Sequence, residues 1–268
     1  MTTYGFIGAG NMATAIISGM VEAGTDPTDI VISDAAAAAR KAAAKATGAQ
    51  AVETNDDVVA AADVLVLAVK PHIVPLVLPP LRAAIEEHSP LVVCIAAGTS
   101  LDKLADLTPD GTRLVRVMPN VNAMVGAGMA AVCGNVHATK KDVQQVVELF
   151  ETVGQATEMD EADFSAFTAL AGSSPGFVFT FIDALARGGV ANGIPKPQAV
   201  QIAAQAVLGS ARMVLERADH GVTPADLVDM VSSPAGTTVA GTIAMEDAGF
   251  SPAVVRGVQA VVDRDQSM

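Results

Sequence analysis

The stretch Gly8-Ala9-Gly10-Asn11-Met12-Ala13 carries the spacing GxGxxA, directly after the apolar run Tyr4–Ile7 and at the head of a helical pattern. In that setting Gly8 allows a tight turn, Gly10 lets backbone amides approach a pyrophosphate, and Ala13 keeps the helix close to a sheet. The helix N-terminus then faces the negative charge. The chemistry is dinucleotide binding, set against a glycine turn made for packing alone. A second stretch, Ser232-Ser233-Pro234-Ala235-Gly236-Thr237-Thr238, places hydroxyls and no charge between two helical segments. Its bland reading is a helix N-cap, which stabilises by about 1 kcal/mol. Its chemical reading is an anion holder, since hydroxyls and the amides of a glycine turn at a helix start can bind a carboxylate without a buried Arg.

The second strand pattern ends at Ser33-Asp34. An acid there accepts hydrogen bonds from an adenosine ribose and disfavours a 2′-phosphate. Ser33, with Arg40 and Lys41 further along, has the opposite character and suits a 2′-phosphate. NADPH and NADH therefore both stay open.

The elements that position these stretches follow from periodicity. As far as Met159, short β-rich runs alternate with helical patterns, as in a parallel sheet covered by helices. Strands are expected at Tyr4–Ile7, Ile30–Ser33, Gln50–Val52, Val64–Ala68, Leu91–Ile95 and Leu114–Val117, with helices at Ala13–Ala23, Ala35–Thr47 and Pro71–Glu87. The continuous apolar run from Val64 to Val69 predicts a strand buried on both faces. After Met159 the alternation stops, and helices are expected at Asp160–Ala171, Pro175–Asn192, Lys196–Ala218, Pro224–Val231, Thr237–Ala248 and Pro252–Asp265. The fold class is α/β: a Rossmann-type doubly wound domain over residues 1–159, then an all-helical domain over residues 160–268. Phe164, Phe167, Phe177, Phe179 and Phe181 open that second domain and read as core, or as a face that meets a second subunit.

Composition narrows the function classes. Hydrophobic residues make up 51% of the 268 and charged residues 17%, a globular balance rich in alanine. A net charge of −13 repels a phosphate backbone and argues against nucleic acid as partner. The run Ala166–Ala186 is interrupted by Ser173, Ser174, Pro175 and Asp183, so a buried helix is expected there rather than a membrane span. The N-terminal apolar run leads into the glycine motif, not a cleavage site, and the expected compartment is the cytoplasm. Cys94 and Cys133, each in an expected strand, lack the spacing of a zinc site or a disulfide framework, and His72, His88, His137 and His220 are scattered, so no metal is expected.

From end to end the chain resembles the pyrroline-5-carboxylate reductase family. The resemblance is carried by "GFIGAGNMA", "LAVKP" (Leu67–Pro71), "AAG" (Ala96–Gly98), "RVMPN" (Arg116–Asn120), "FTALAGSSP" (Phe167–Pro175), "NGIPK" (Asn192–Lys196) and "SSPAGTT", in that order. It implies reduction of 1-pyrroline-5-carboxylate to L-proline, the last step of proline synthesis, by hydride transfer from NADPH or NADH to the cyclic imine. It also implies a nicotinamide pocket walled by Ala68, Val69, Lys70, Pro71, Ala96, Ala97 and Gly98, with Asn55 near the adenosine. Lys70 reads either as a solvated loop residue or as a cofactor contact made chiefly through its backbone. Ser233, Ala235, Gly236 and Thr237 would hold the substrate carboxylate, and Thr238, the expected catalytic residue, would reach the ring nitrogen. The family builds its site across a homodimer, and larger rings of dimers occur in it.

Two departures stand out. Gly176-Phe177 replaces the family's usual Ala-Tyr, and Ala235 stands where the family has glycine. A positive φ at position 235 would strain alanine by about 1 kcal/mol; the expectation is that the position needs only a small side chain. Two other functions compete. A β-hydroxyacid dehydrogenase needs a base, and resembles its relatives in a lysine on the first long helix of the second domain; Gly172–Phe179 has none. A dinucleotide sensor would keep the fold and bind cofactor without turnover.

Overall fold

Residues 2–267 are described by the computed structural model. Strands β1 (Tyr4–Ile7), β2 (Ile30–Ser33), β3 (Gln50–Ala51), β4 (Val64–Leu67), β5 (Leu91–Cys94) and β6 (Leu114–Met118) form at the expected runs and pair in parallel. Two further strands, β7 (Gly128–Gly134) and β8 (Gly154–Glu158), extend the sheet, β7 antiparallel to β6 and β8 parallel to β7. The order is β3-β2-β1-β4-β5-β6-β7-β8, so the chain reverses its direction of sheet growth between β1 and β4. An open parallel sheet leaves a crevice at the carboxyl ends of its strands at such a point.

The helices are α1 (Asn11–Glu22), α2 (Ala37–Thr47), α3 (Asn55–Ala61), α4 (Val74–Val77), α5 (Arg82–His88), α6 (Leu101–Leu107), α7 (Lys140–Glu151), α8 (Phe164–Phe167), α9 (Ser174–Ala191), α10 (Lys196–Ala218), α11 (Pro224–Val231), α12 (Thr237–Asp247) and α13 (Phe250–Gln266). Strand residues alternate between two cores. Phe6, Val64, Val66 and Val93 pack with Ile16, Ile17 and Met20 of α1 and Phe150 of α7. Leu65, Leu67, Val92 and Cys94 pack on the other face with Val58, Val59, Ile85 and Leu104. Both faces are covered, which is why β4 is apolar at every position.

The chain divides into two compact units, Met1–Ser173 with Val261–Met268, and Ser174–Ala260. This division falls later than the 159/160 boundary read from the sequence. The physical reason is α8 and the π-helical turn Thr168–Ser173 after it: Phe164, Phe167 and Ala171 pack on Ala131 of β7 and so belong with the sheet.

The second unit hides little by itself. Its seam is small, Ala186 of α9 against Ala199 and Ala203 of α10, and α11, α12 and α13 bury no residue fully. Phe181 and Phe250 meet with ring centroids 5.9 Å apart, but Phe179, Leu215, Met230 and Val255 are each more than half exposed. The helix over Ala166–Ala186 is not buried along its length, contrary to the expectation from its sequence. By length and hydropathy Glu161–Ala191 is long and apolar enough to cross a membrane, and only 22% of its most apolar window is buried. Its first turns face the sheet, while Phe177, Val178 and Leu185 of α9 present an open apolar side.

Candidate active site

A cleft of about 860 Å³ lies at the carboxyl ends of β1, β4 and β5. Its walls include Gly8, Gly10, Asn11, Met12, Asp34, Asn55, Ala68, Val69, Lys70, Pro71, Ala96 and Ala97, residues far apart along the chain that the fold brings together. Met118, Pro119, Val121 and Met124 complete it. A second hollow of about 850 Å³, between α1, α2 and the 121–126 loop, is lined mainly by alanines and other small residues and offers no cation.

The glycine turn meets the demands of a pyrophosphate. Gly8 has φ +106°, and a Cβ there would stand 2.5 Å from the carbonyl oxygen of Ala68. A Cβ on Gly10 would meet nothing within 4 Å, so that position opens on free space. Gly10 is also the N-cap of α1 and supplies no side chain to it, which leaves the first amides of the helix for a ligand. These residues fit a nicotinamide dinucleotide.

Two of the expected cofactor residues lie off the cleft. Ser33 is buried, and its hydroxyl donates to Asn55 Oδ1 at 2.7 Å, so it orients Asn55 instead of facing a ligand. Gly98 has φ +69° and its carbonyl accepts from Lys103 Nζ at 3.2 Å, beside a separate hollow that includes His72. Lys70 is on the wall with φ −65° and ψ 149°, heading the 3₁₀ turn Pro71–Ile73. Asp34 Oδ2 accepts the Ala9 amide at 2.8 Å and Oδ1 the Ala36 amide at 2.7 Å.

Two side chains that the sequence reading gave no role brace the region. Arg116 is buried in β6, its Nη1 donates to Glu161 Oε1 at 2.8 Å, and its guanidinium stacks 4.5 Å from the Phe164 ring centre. Glu161 Oε1 also accepts the Leu101 amide at 2.8 Å. Asn120 donates to the carbonyl of Ala171 at 3.0 Å and accepts the Met129 amide at 3.2 Å. Asn120 thereby ties the loop after β6 to the π-helical turn, where a carbonyl loses its regular partner. An arginine inside the apolar run Leu114–Met118 was the available signal.

In the second unit, Ser232 closes α11 and Gly236 opens α12. Between them the Gly236 amide donates to the Ser233 carbonyl at 2.9 Å, closing a tight turn with Pro234 and Ala235 at its centre. Ala235 has φ +59°. Proline followed by a positive φ is the pattern of a type II turn, which ordinarily takes glycine at that place. The expectation that position 235 needs only a small side chain is therefore corrected: it needs a left-handed backbone, and alanine occupies it under strain. Gly236 is favoured for a different reason, since a Cβ there would stand 2.9 Å from the Ser233 carbonyl oxygen.

The N-cap reading of this turn also changes. Helices α3, α6, α7 and α11 are capped by the hydroxyls of Thr54, Ser100, Thr139 and Thr223. The N-cap of α12 is Gly236, with no side-chain cap, and Ser233, Thr237 and Thr238 are exposed beside it. Hydroxyls and first-turn amides are thus left free around a neutral helix start.

A doubly wound sheet with an uncapped glycine turn at its switch point, followed by a helical unit, defines a nicotinamide-dinucleotide oxidoreductase of the two-domain kind. The family model described as pyrroline-5-carboxylate reductase dimerisation matches residues 161–268, and the one described as NADP oxidoreductase, coenzyme F420-dependent, matches residues 3–98. Pyrroline-5-carboxylate reductases of Methanosarcina acetivorans and Escherichia coli are each 38% identical over 265 residues, covering 98% of this chain and 97% of theirs. The solved reductase of Coxiella burnetii superposes with a TM-score of 0.92 at 29% identity, over 99% of this chain and 98% of its own. That of Plasmodium falciparum, solved with NADP bound, gives 0.88 at 27% identity, over 99% and 97%. The chain belongs to the pyrroline-5-carboxylate reductase family.

Proposed function

We infer that this chain reduces 1-pyrroline-5-carboxylate to L-proline with NADPH or NADH, the last step of proline biosynthesis. The substrate is a small cyclic imine with one carboxylate. It asks for an anion holder, an apolar slot and a hydride donor held over the imine carbon. When bound, the reduced nicotinamide supplies the hydride. Gly10, Asn11 and Met12 present amides to the pyrophosphate, and Ala68, Val69, Lys70, Pro71, Ala96 and Ala97 wall the nicotinamide end; Gly98 shapes the loop behind them.

The observation that carries the substrate reading is the uncapped start of α12 beside unspent hydroxyls. Amides of that first turn, with Ser233 and Thr237 and the backbone of Ala235 and Gly236, hold the carboxylate. Thr238 sets its hydroxyl against the ring nitrogen. An imine takes its proton from solvent or from a hydroxyl, and no strong general acid is required. Catalysis is then mostly orientation, an effect on the order of 7–11 kcal/mol when two reactants are well aligned.

The active form is a homodimer, supported by the dimerisation match over residues 161–268 and by the open apolar sides of α9, α10 and α13. Within it the substrate residues of one subunit complete the cofactor cleft of the other, and dimers assemble further into a ring. Cofactor binding lies within residues 1–159, and dimerisation and substrate binding lie within residues 160–268, beyond the stretch Phe164–Ala171 that packs with the sheet. The free thiols Cys94 and Cys133 suit a reducing cytoplasm. The test is Thr238→Ala: kcat/KM for the imine falls at least tenfold while cofactor Kd is unchanged. Full retained activity removes Thr238 from the reaction.

A further inference from the structure

We infer that Asp34 makes this chain selective for NADH over NADPH. The inference rests on the function just proposed and concerns which of its two coenzymes the cleft accepts.

A 2′-phosphate is held by hydroxyls, backbone amides or cations where the ribose meets the end of the second strand. The donors closest to the Asp34 carboxylate at the end of β2 are already engaged within the chain, although α2, whose N-cap Ala36 supplies no side chain, keeps its first amides open. The Ala9 and Ala36 amides both donate to the Asp34 carboxylate, one to each oxygen. Ser33 is 1% exposed, and its hydroxyl is spent on Asn55. Arg40 donates Nη1 to the Asp34 carbonyl at 3.2 Å, and its Nη2 stands 4.0 Å from the Glu53 carboxylate. Lys41 follows Arg40 on α2 and is not part of the cleft wall, while Lys70 reaches the cleft from β4, on the far side of β1. The chain thus carries an anion of its own at the place a 2′-phosphate would occupy.

The same arrangement favours an unphosphorylated ribose. A carboxylate has about four acceptor positions, and the two amides use one on each oxygen. The positions that remain can accept hydroxyl protons, which a ribose diol provides and a 2′-phosphate does not. Because two backbone loops hold the group from both sides, it cannot swing away from a phosphate without breaking those bonds. A second anion placed beside it is repelled, and the repulsion is strong in a partly desolvated cleft.

The test is equilibrium binding of NAD⁺ and NADP⁺ by isothermal titration calorimetry to the purified full-length protein and to Asp34→Asn and Asp34→Ser, with thermal melting as the folding control. The wild type is expected to bind NAD⁺ at least tenfold more tightly than NADP⁺, and the variants to reduce that ratio at least tenfold. Steady-state kcat/KM for the imine with each reduced coenzyme is expected to follow the same order. Equal or tighter binding of NADP⁺ by the wild type overturns the inference, whatever the variants do. So does an unchanged ratio in variants that melt like the wild type. Selective binding of NAD⁺ without imine turnover would support this inference while refuting the proposed function, so the two fail separately.

Discussion

Replacing Ala235 by glycine should act in the opposite direction to an ordinary alanine-to-glycine change. At a normal backbone position the substitution loosens the unfolded chain and costs about 0.4–1 kcal/mol. At φ +59° the alanine Cβ crowds the following carbonyl, a strain of about 1–2 kcal/mol that glycine does not carry. The difference leaves Ala235→Gly between neutral and about 1.6 kcal/mol more stable than the wild type. For a chain of this size that is a rise in Tm of up to about 3–6 °C. Ala248, which ends α12 at φ −79°, is the matched control: Ala248→Gly should lose about 0.4–1 kcal/mol. Differential scanning calorimetry on both variants gives the comparison. Because glycine is the family's usual residue in this turn, kcat/KM for the imine should stay within about threefold of the wild type. If Ala235→Gly is destabilised as much as Ala248→Gly, the strain assigned to position 235 is wrong.

Gly8→Ala should abolish tight cofactor binding, because the new Cβ would stand 2.5 Å from the Ala68 carbonyl at a φ of +106°; a dinucleotide Kd within twofold of wild type would contradict the tight-turn role. Asn120→Ala leaves the Ala171 carbonyl and the Met129 amide without their partner, and urea unfolding should show a loss of about 1–3 kcal/mol. Burial alone would raise the Asp142 carboxyl, but hydrogen bonds from Thr139 and the charge of Arg113 outweigh it and hold the group below the usual carboxylate range. A lowered carboxyl contributes stability above the unfolded value, and that contribution is lost as the pH falls through the folded one. Asp142→Asn should therefore show a shallower loss of stability below about pH 4 than the wild type, read by melting temperature against pH.

Five of the six parallel strands were legible because each is a short, mostly apolar run between turn residues, with both faces of the sheet covered; β3 is only Gln50–Ala51, two exposed residues at the sheet edge. A strand around Cys133 was expected without bounds, and β7 forms there; β8 was not legible, because Gly154–Glu158 is a short polar edge with two exposed residues. Helix α7 could have been found from its capping box, Thr139 with Asp142. The cofactor cleft was legible because a glycine spacing after a strand has one physical use. What sequence could not supply was which donors are already spent: Ser33 on Asn55, and the Ala9 and Ala36 amides on Asp34. Nor could it supply the sign of φ at Ala235, since a type II turn is defined by a backbone angle and not by side-chain size. The phenylalanines that open the helical domain read as core or as a face for a second subunit, because burial within one chain and burial against a second copy leave the same pattern in sequence.

The proposed function requires the glycine cleft and the 232–238 turn to act together in delivering a hydride to a cyclic imine. The most direct measurement is deuterium transfer from coenzyme labelled at nicotinamide C4, with the product resolved by mass spectrometry and chiral analysis. The wild type is expected to form L-proline with one deuterium at the carbon that was double-bonded to nitrogen, and Thr238→Ala to form it at least tenfold more slowly with the coenzyme still bound. Coenzyme binding with no labelled proline would contradict the claim.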